Sequence, residues 1–183
     1  MRWSKLKQLA EGFLCEPLQE RIHYHWVIHR KSHDQPGTFR MTLDGMEIFR
    51  ASDIPFNLAV NTRGQELTEE RAIDPLTWDS DWRKIWESNE RKQLHAAYDD
   101  AEKEVKADGN YPSWEIVRLL FDYTQMPFEK ALTHEHPFIR AIALLDRRLG
   151  KRRWSTINIE SETDLVQKCY RLRNEMLEDS LPS

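Results

Sequence analysis

The chain has 183 residues, of which 32% are charged, with a net charge of −4 and a mean hydropathy of −0.75. Seven Trp, seven Phe and five Tyr give this polar sequence bulky material for a core, so it reads as globular rather than disordered. The acidic balance argues against wholesale electrostatic capture of nucleic acid, and no apolar run approaches the ~20 residues of a bilayer span.

Residues 1–14 lack a continuous apolar core and a small-residue cleavage site, so no signal peptide is expected. Cys15 and Cys169, with no Cys-x-x-Cys spacing, point to reduced thiols and a cytoplasmic location. A chain of this length suits one domain burying roughly 70% of its unfolded surface, or two small subdomains sharing a core.

Ser4 is placed to cap a first helix with Leu6, Leu9, Ala10 and Phe13 on one face, ending near Pro17. The period then changes. Ile22, Tyr24, Trp26 and Ile28 alternate with Arg21, His23, His25 and His29, as in a half-buried strand. Residues 34–37 carry turn chemistry, and Phe39, Met41 and Leu43 alternate with Thr38, Arg40 and Thr42. The dipeptide Asp44-Gly45 suits a two-residue hairpin turn, because both positions tolerate positive φ, and residues 46–50 return as a third strand.

Residues 51–77 are read as helix or loop. Phe56, Leu58 and Val60 alternate like a strand, whereas Asp53, Pro55 and Gly64 suit a short helix. From Asp79 the pattern is helical: Trp82, Ile85, Trp86, Leu94, Ala97, Ala101 and Val105 share a stripe, with a kink expected between Trp86 and Leu94 and a stop at Gly109. Ser113 caps a helix carrying Trp114, Val117, Leu120 and Phe121, and Pro127 starts a short one through Thr133.

In residues 136–153, Pro137 fits a first helical turn and Phe138, Ile142, Leu145 and Leu149 fall on one face. Gly150 is placed for a left-handed C-cap, with Lys151, Arg152 and Arg153 at the negative end of the helix dipole. A short extended piece at residues 156–159 precedes a last helix with Ser161 and Asp164 as its capping pair and Leu165, Cys169, Leu172 and Met176 as its stripe. The fold expected is α+β: an N-terminal helix and a three-stranded antiparallel meander packed on a C-terminal helical layer. Residues 1–154 form a single domain (meander 21–50, helical part 79–153), and residues 155–183 form an extension with one helix.

The opening Met1-Arg2-Trp3-Ser4-Lys5-Leu6-Lys7 and the segment His136, Pro137, Ile139, Arg140, Ala141, Ala143, Leu145, Asp146, Arg147, Arg148, Leu149, Gly150, Lys151, Arg152 and Arg153 together resemble the two ends of a family of uncharacterised small bacterial proteins. The likeness covers most of residues 1–153 and departs at Trp154, where an aliphatic residue is usual. It implies a shared fold and a cytoplasmic location, and brings no activity with it.

Three constellations are candidates for chemistry. His23 and His25, two apart on one strand face and about 6.6 Å apart along it, are spaced to share a metal ion, while His29 lies about 13 Å further on, too far for that ion. The basic exit of Arg147, Arg148, Lys151, Arg152 and Arg153, with Arg140, is a candidate for phosphate or acidic-partner contact, although Arg140 and Asp146 lie in an apolar helix and are expected to meet buried partners. Trp78, Trp82 and Trp86 recur at helical spacing, which suits a buried helix side, or an interaction surface if they are exposed.

No P-loop, Gly-x-Gly-x-x-Gly, Gly-x-Ser-x-Gly or His-Glu-x-x-His motif is present. Cys15 with His23 or His25 would make a nucleophile and base, but its apolar neighbours favour a small buried thiol. The expectation is therefore a non-enzymatic protein acting through protein–protein contacts, with no cofactor and no membrane. A homodimer through the C-terminal helix is one form of partner. The alternatives are an RNA or nucleotide-phosphate binder using the basic exit, and a metal-dependent hydrolase built on His23 and His25.

Overall fold

Alternation along residues 22–43 builds the sheet on which the N-terminal part is organised. The structure, a computed structural model, describes residues 1–178, with side chains as far as Met176. Its order is α1 (Trp3–Glu11), a 3-10 turn (Glu16–Leu18), β1 (Ile22–Ile28), β2 (Gly37–Leu43), β3 (Met46–Ser52) and α2 (Asp53–Glu70). There follow α3 (Trp82–Glu87), α4 (Asn89–Ala107), α5 (Ser113–Gln125), α6 (Phe128–Leu132), α7 (Pro137–Leu144), α8 (Lys151–Trp154) and α9 (Asp164–Glu178). The fold class is α+β, with a three-stranded antiparallel sheet in the order β1-β2-β3, followed by helices. Two compact units emerge: Met1–Ala51 together with the chain from Ser113 onward, and Ser52–Pro112.

In the first unit, β1 pairs with β2 from Ile22↔Leu43 to Ile28↔Gly37. Asp44 (φ 50°) and Gly45 (φ 81°) both take the left-handed backbone that the tight turn requires. Ile22, Tyr24, Phe39 and Met41 are buried on the face that Phe138 closes, its ring 5.7 Å edge-on from that of Phe39. Helix α1 covers the open side of β1, where the Glu11 carboxylate accepts the Tyr24 N–H at 3.1 Å. Ser4 does not cap this helix. Its start is drawn back to Trp3, whose ring packs 5.8 Å from Trp26 and 6.2 Å from Phe39.

The apolar helix expected from residue 137 starts as read. The His136 ring accepts the Phe138 N–H at 3.2 Å, Pro137 takes the first turn, and Phe138, Ile142, Leu145 and Leu149 are all buried. It stops, however, at Leu144. The next backbone groups pair with a distant segment: Leu145 C=O accepts the Cys15 N–H at 2.9 Å, and the Arg147 N–H donates to Phe13 C=O at 2.8 Å. The Asp146 carboxylate between them accepts the Arg148 N–H at 2.7 Å, satisfying a group that a continuing helix would have bonded itself. Gly150 is thus no left-handed cap (φ −78°) but the residue before α8, so Lys151, Arg152 and Arg153 do not complete the dipole of α7.

Helix α5 buries Ile116, Leu119, Leu120 and Tyr123, while Trp114 and Phe121 face outward, so its inner face is rotated from the one expected. The short piece expected at residues 156–159 is turn and coil, with no strand pairing. Helix α9 packs on α7 within the first unit and buries Val166, Cys169 and Arg173. Arg173 reaches the carbonyls of Leu145 and Leu149 (both 3.4 Å), and Trp154 stacks on Tyr170 at 4.3 Å.

The second unit rests on α2 against α4. Helix α2 runs 18 residues where the sequence left helix or loop open, and the apparent alternation misleads because Leu58 is 66% exposed. Pro55 falls in the first turn, where an N–H has no helical partner to lose. Leu67, Ala97 and Ala101 form the core with Val60 and Ile73. Between α3 and α4 the expected kink is a break at Ser88, whose hydroxyl accepts the Arg91 N–H at 3.1 Å. Gly109 (φ 82°) ends α4 as read.

Gly64 lets the two long helices approach, since a Cβ there would lie 2.7 Å from ring carbons of Tyr98. Gly64→Ala should therefore lower stability by about 1–3 kcal/mol, although alanine is the better helix former by about 1 kcal/mol. Urea unfolding reads this as a lower midpoint, and in a Tyr98→Ala background the same substitution should be neutral or stabilising. Asp146→Ala, which strips a buried carboxylate from Arg148 and Tyr123, should cost about 3 kcal/mol. An unchanged urea midpoint would contradict the role given to that carboxylate.

Candidate functional site

The cations of the basic exit divide by how firmly they are held. Arg140 is committed: Nε and Nη2 donate to the two carboxylate oxygens of Glu162 at 2.8 and 2.7 Å, and Nη1 to the carbonyls of His134 (2.6 Å) and Glu135 (2.8 Å). Both partners of this pair have about four-fifths of their side chains covered. Arg148 is committed as well. Its guanidinium donates to Asp146 and lies over the rings of Phe13 (4.2 Å) and Phe128 (5.0 Å). The Asp146 hydrogen bond is the chief cause holding the Arg148 pKa above its ordinary value.

The others are loosely held. Arg153 donates once to Glu129 at 2.8 Å, with both side chains more than half exposed. Arg147, Lys151 and Arg152 are exposed, and among the described residues no ion-pair partner holds them.

A pocket of about 370 Å³ opens beside this cluster. Its apolar lining comes from Leu132, Leu144, Ile157, Ile159 and Val166, and its polar walls include the pair of Arg140 and Glu162 together with Arg153 and Thr156. A neighbouring depression of about 470 Å³ is lined by Arg148, Gly150, Arg152, Arg153 and Thr156. Arg153 and Thr156 line both. Of the lining residues the sequence singled out only Arg140 and Arg153 as site candidates, and the apolar wall with Glu162 was missed. The signal was present, in two isoleucines among polar neighbours at 155–162, within the short extended piece read over residues 156–159.

His23 and His25 sit side by side on β1, ring centroids 6.4 Å apart. One His23 nitrogen lies 3.4 Å from Glu11, and His25 Nε2 lies 3.1 Å from the Thr42 hydroxyl. Among the described residues no group of three or more His, Cys, Asp or Glu is arranged to hold a metal ion, so these two rings lack the further ligands a metal centre needs. The thiols are buried: burial raises the Cys15 pKa and pushes that of Cys169 up to about 12, which keeps both protonated and unreactive.

Burial first, then the charges of Lys7, Arg40 and His23, hold the His25 pKa below its ordinary 6.5, with Glu11 opposing. Between that depressed value and 6.5 the unfolded chain binds the extra proton, so this residue's contribution to stability rises with pH across the window and is complete above it. Lys7→Gln should move the His25 titration upward by NMR, and an unchanged or lower value would contradict this origin of the shift.

Trp78, Trp82 and Trp86 are 81%, 66% and 61% exposed, so the stripe is not a buried helix side. The Trp82 and Trp86 rings meet edge-on at 6.4 Å, and the Arg91 guanidinium lies 4.9 Å over Trp86. No residue from 74 to 87 is buried, and α3 has no buried residue at all.

No helix among the described residues is long and apolar enough to cross a membrane. Neither the curated proteins nor the solved structures contain a match to this chain. Residues 2–174 match the model of the SF0329 protein family, and the chain belongs to that family.

Proposed function

We propose that the protein works by contact with another protein, through the tryptophan-bearing segment 74–87 of its second unit. One observation carries this reading: three tryptophans within nine residues stand more than 60% exposed on a stretch with no buried side chain. Helices much shorter than ~12 residues are marginal in water unless packing holds them, and α3 has six residues. Burying a large apolar side chain stabilises by about 1.5–3 kcal/mol, so this stretch presents unclaimed binding free energy at its surface. Tryptophan and arginine are also the residue types that dominate the energetics of protein interfaces, and Arg91 stacks here on Trp86.

The flanking charges are mixed. Asp79 and Asp81 lie beside Arg83 and Lys84, with Lys84 Nζ 3.5 Å from Asp79. A partner with an apolar groove and a polar rim of both signs fits this better than a polyanion would. Self-association through α9 has less support, because Val166 and Cys169 on that helix are already buried in its own unit. An RNA or nucleotide-phosphate role is favoured only by the loosely held Arg152 and Arg153, and a metal-dependent hydrolase by nothing beyond the adjacency of two histidines.

The test compares the full chain with a variant carrying Trp78→Ser, Trp82→Ser and Trp86→Ser. The variant should keep its circular dichroism and thermal midpoint, because nothing buried is removed. A partner recovered by the unaltered chain in a pull-down from the source cell should be lost with the variant, and single Trp→Ala changes should weaken its binding by about 2 kcal/mol, roughly 30-fold. Retention of the partner by the triple variant would refute the proposal, as would recovery of none above background.

A further inference from the structure

We infer that the double depression beside α8 is a binding site for a phosphate monoester carrying a compact apolar or aromatic body. The site lies wholly in the first unit and is independent of the tryptophan segment, so either proposal can fail alone.

The chamber has the composition and size of a small-molecule pocket. Its volume of about 370 Å³ lies at the small end of the ~300–1,000 Å³ typical of such sites, enough for a ring and little more. Leu132, Leu144, Ile157, Ile159 and Val166 supply apolar contact. The charged pair in its wall cancels itself: Glu162 holds both Nε and Nη2 of Arg140, and two backbone carbonyls hold Nη1. A wall fixed this way neither attracts a charged body nor moves aside for one. It favours an uncharged, apolar body.

The mouth is charged differently. Arg148 is answered by Asp146, and Arg153 by a single hydrogen bond to Glu129. Arg152 lines the outer depression with no answering carboxylate among the described residues, and exposed Lys151 precedes it. An exposed pair such as Arg153 with Glu129 contributes about 0–1 kcal/mol, so an incoming anion takes Arg153 from Glu129 at small cost. Guanidinium groups match phosphate oxygens two at a time, and Arg152 and Arg153 are adjacent residues. A dianion suits this excess of positive charge better than a single carboxylate. The Thr156 hydroxyl, which now donates to Arg153 C=O at 2.8 Å, stands where chamber and mouth join and supplies a neutral hydrogen bond at the ester end.

The experiment is an NMR titration of the full chain with phenyl phosphate, inorganic phosphate and phenol, each at low salt. Phenyl phosphate should shift the amide and methyl signals of Ile157 and Ile159, and bind at least about tenfold more tightly than either fragment, because only it fills both depressions. Arg152→Gln and Arg153→Gln, both at exposed positions, should each weaken phenyl phosphate about tenfold, while Arg147→Gln, outside the lining, should leave it unchanged.

Several outcomes would overturn the proposal. Equal affinity for inorganic phosphate reduces the site to a basic surface, and equal affinity for phenol reduces it to a greasy one. Indifference to both arginine substitutions removes the head-group contact. Binding to phosphatidic-acid vesicles or to single-stranded RNA without binding of phenyl phosphate assigns the cations to a macromolecule instead.

Discussion

The first unit depends on the Asp146 carboxylate. Buried to within 1% of its surface, it accepts hydrogen bonds from the Tyr123 hydroxyl of α5, from the Arg148 backbone N–H and from the Arg148 guanidinium. A charge this far from water is tolerated only when its oxygens are answered, and here they are answered from two elements at once. The carboxylate also stands where α7 ends and where the chain pairs with residues 13–15, so one side chain sets a helix length, a backbone crossing and the direction in which the chain leaves it. Burial, with the neighbouring carboxylate, pushes the Tyr123 pKa far above its ordinary value, which keeps the phenol a donor at every physiological pH.

The position of the pocket is a consequence of that turn. Once Arg148 is drawn onto Asp146 and over Phe13 and Phe128, Leu149 enters the core and Gly150 leads into α8 with Lys151, Arg152 and Arg153 outside. Arg173 then closes the inner side by reaching the carbonyls of Leu145 and Leu149. A second committed arginine, Arg140, ties Glu162 to the entry of α7 and so fixes the coil that carries Ile157 and Ile159 past the chamber. Two arginines therefore build the walls, and two others, Arg152 and Arg153, are left to act at the mouth. All four look alike in the sequence. What separates them is how the answering carboxylate is placed: Glu162 and Asp146 are largely covered, Glu129 beside Arg153 is exposed, and Arg152 has none among the described residues.

That distinction marks how much was legible in advance. The meander could be read because its information is local: period-2 alternation names the buried side of β1 and β2, and Asp44-Gly45 names the turn. The core face of α7 could be read for the same reason. Arg140 and Asp146 were recognisable as residues needing buried partners, but the identity of those partners, Glu162 and Tyr123, depends on contacts 22 and 23 residues away in the chain. The end of α7 misled because Gly150 and the cations after it satisfy every local rule for a C-terminus. A non-local event, the pairing of residues 145 and 147 with 13 and 15, decides the matter five residues earlier. In α2 the sequence allowed helix or loop, and the helix is what forms; the competing strand-like alternation fails because Leu58 is exposed.

The tryptophan stripe is another case in which spacing misled: Trp82 and Trp86 share α3, whereas Trp78 lies in the coil before it, and none of the three is buried. Spacing at four residues does place side chains on one helical face, but a face is buried only if something lies against it. The core cluster of the second unit, Leu67, Ala97 and Ala101 with Val60 and Ile73, contains none of these rings. Ser88 separates α3 from α4 through its own cap, so the amphipathic stripe of α4 does not carry its buried side back to Trp82 and Trp86. Three rings left in water beside that cluster are the exposed apolar surface on which the proposed partner contact rests.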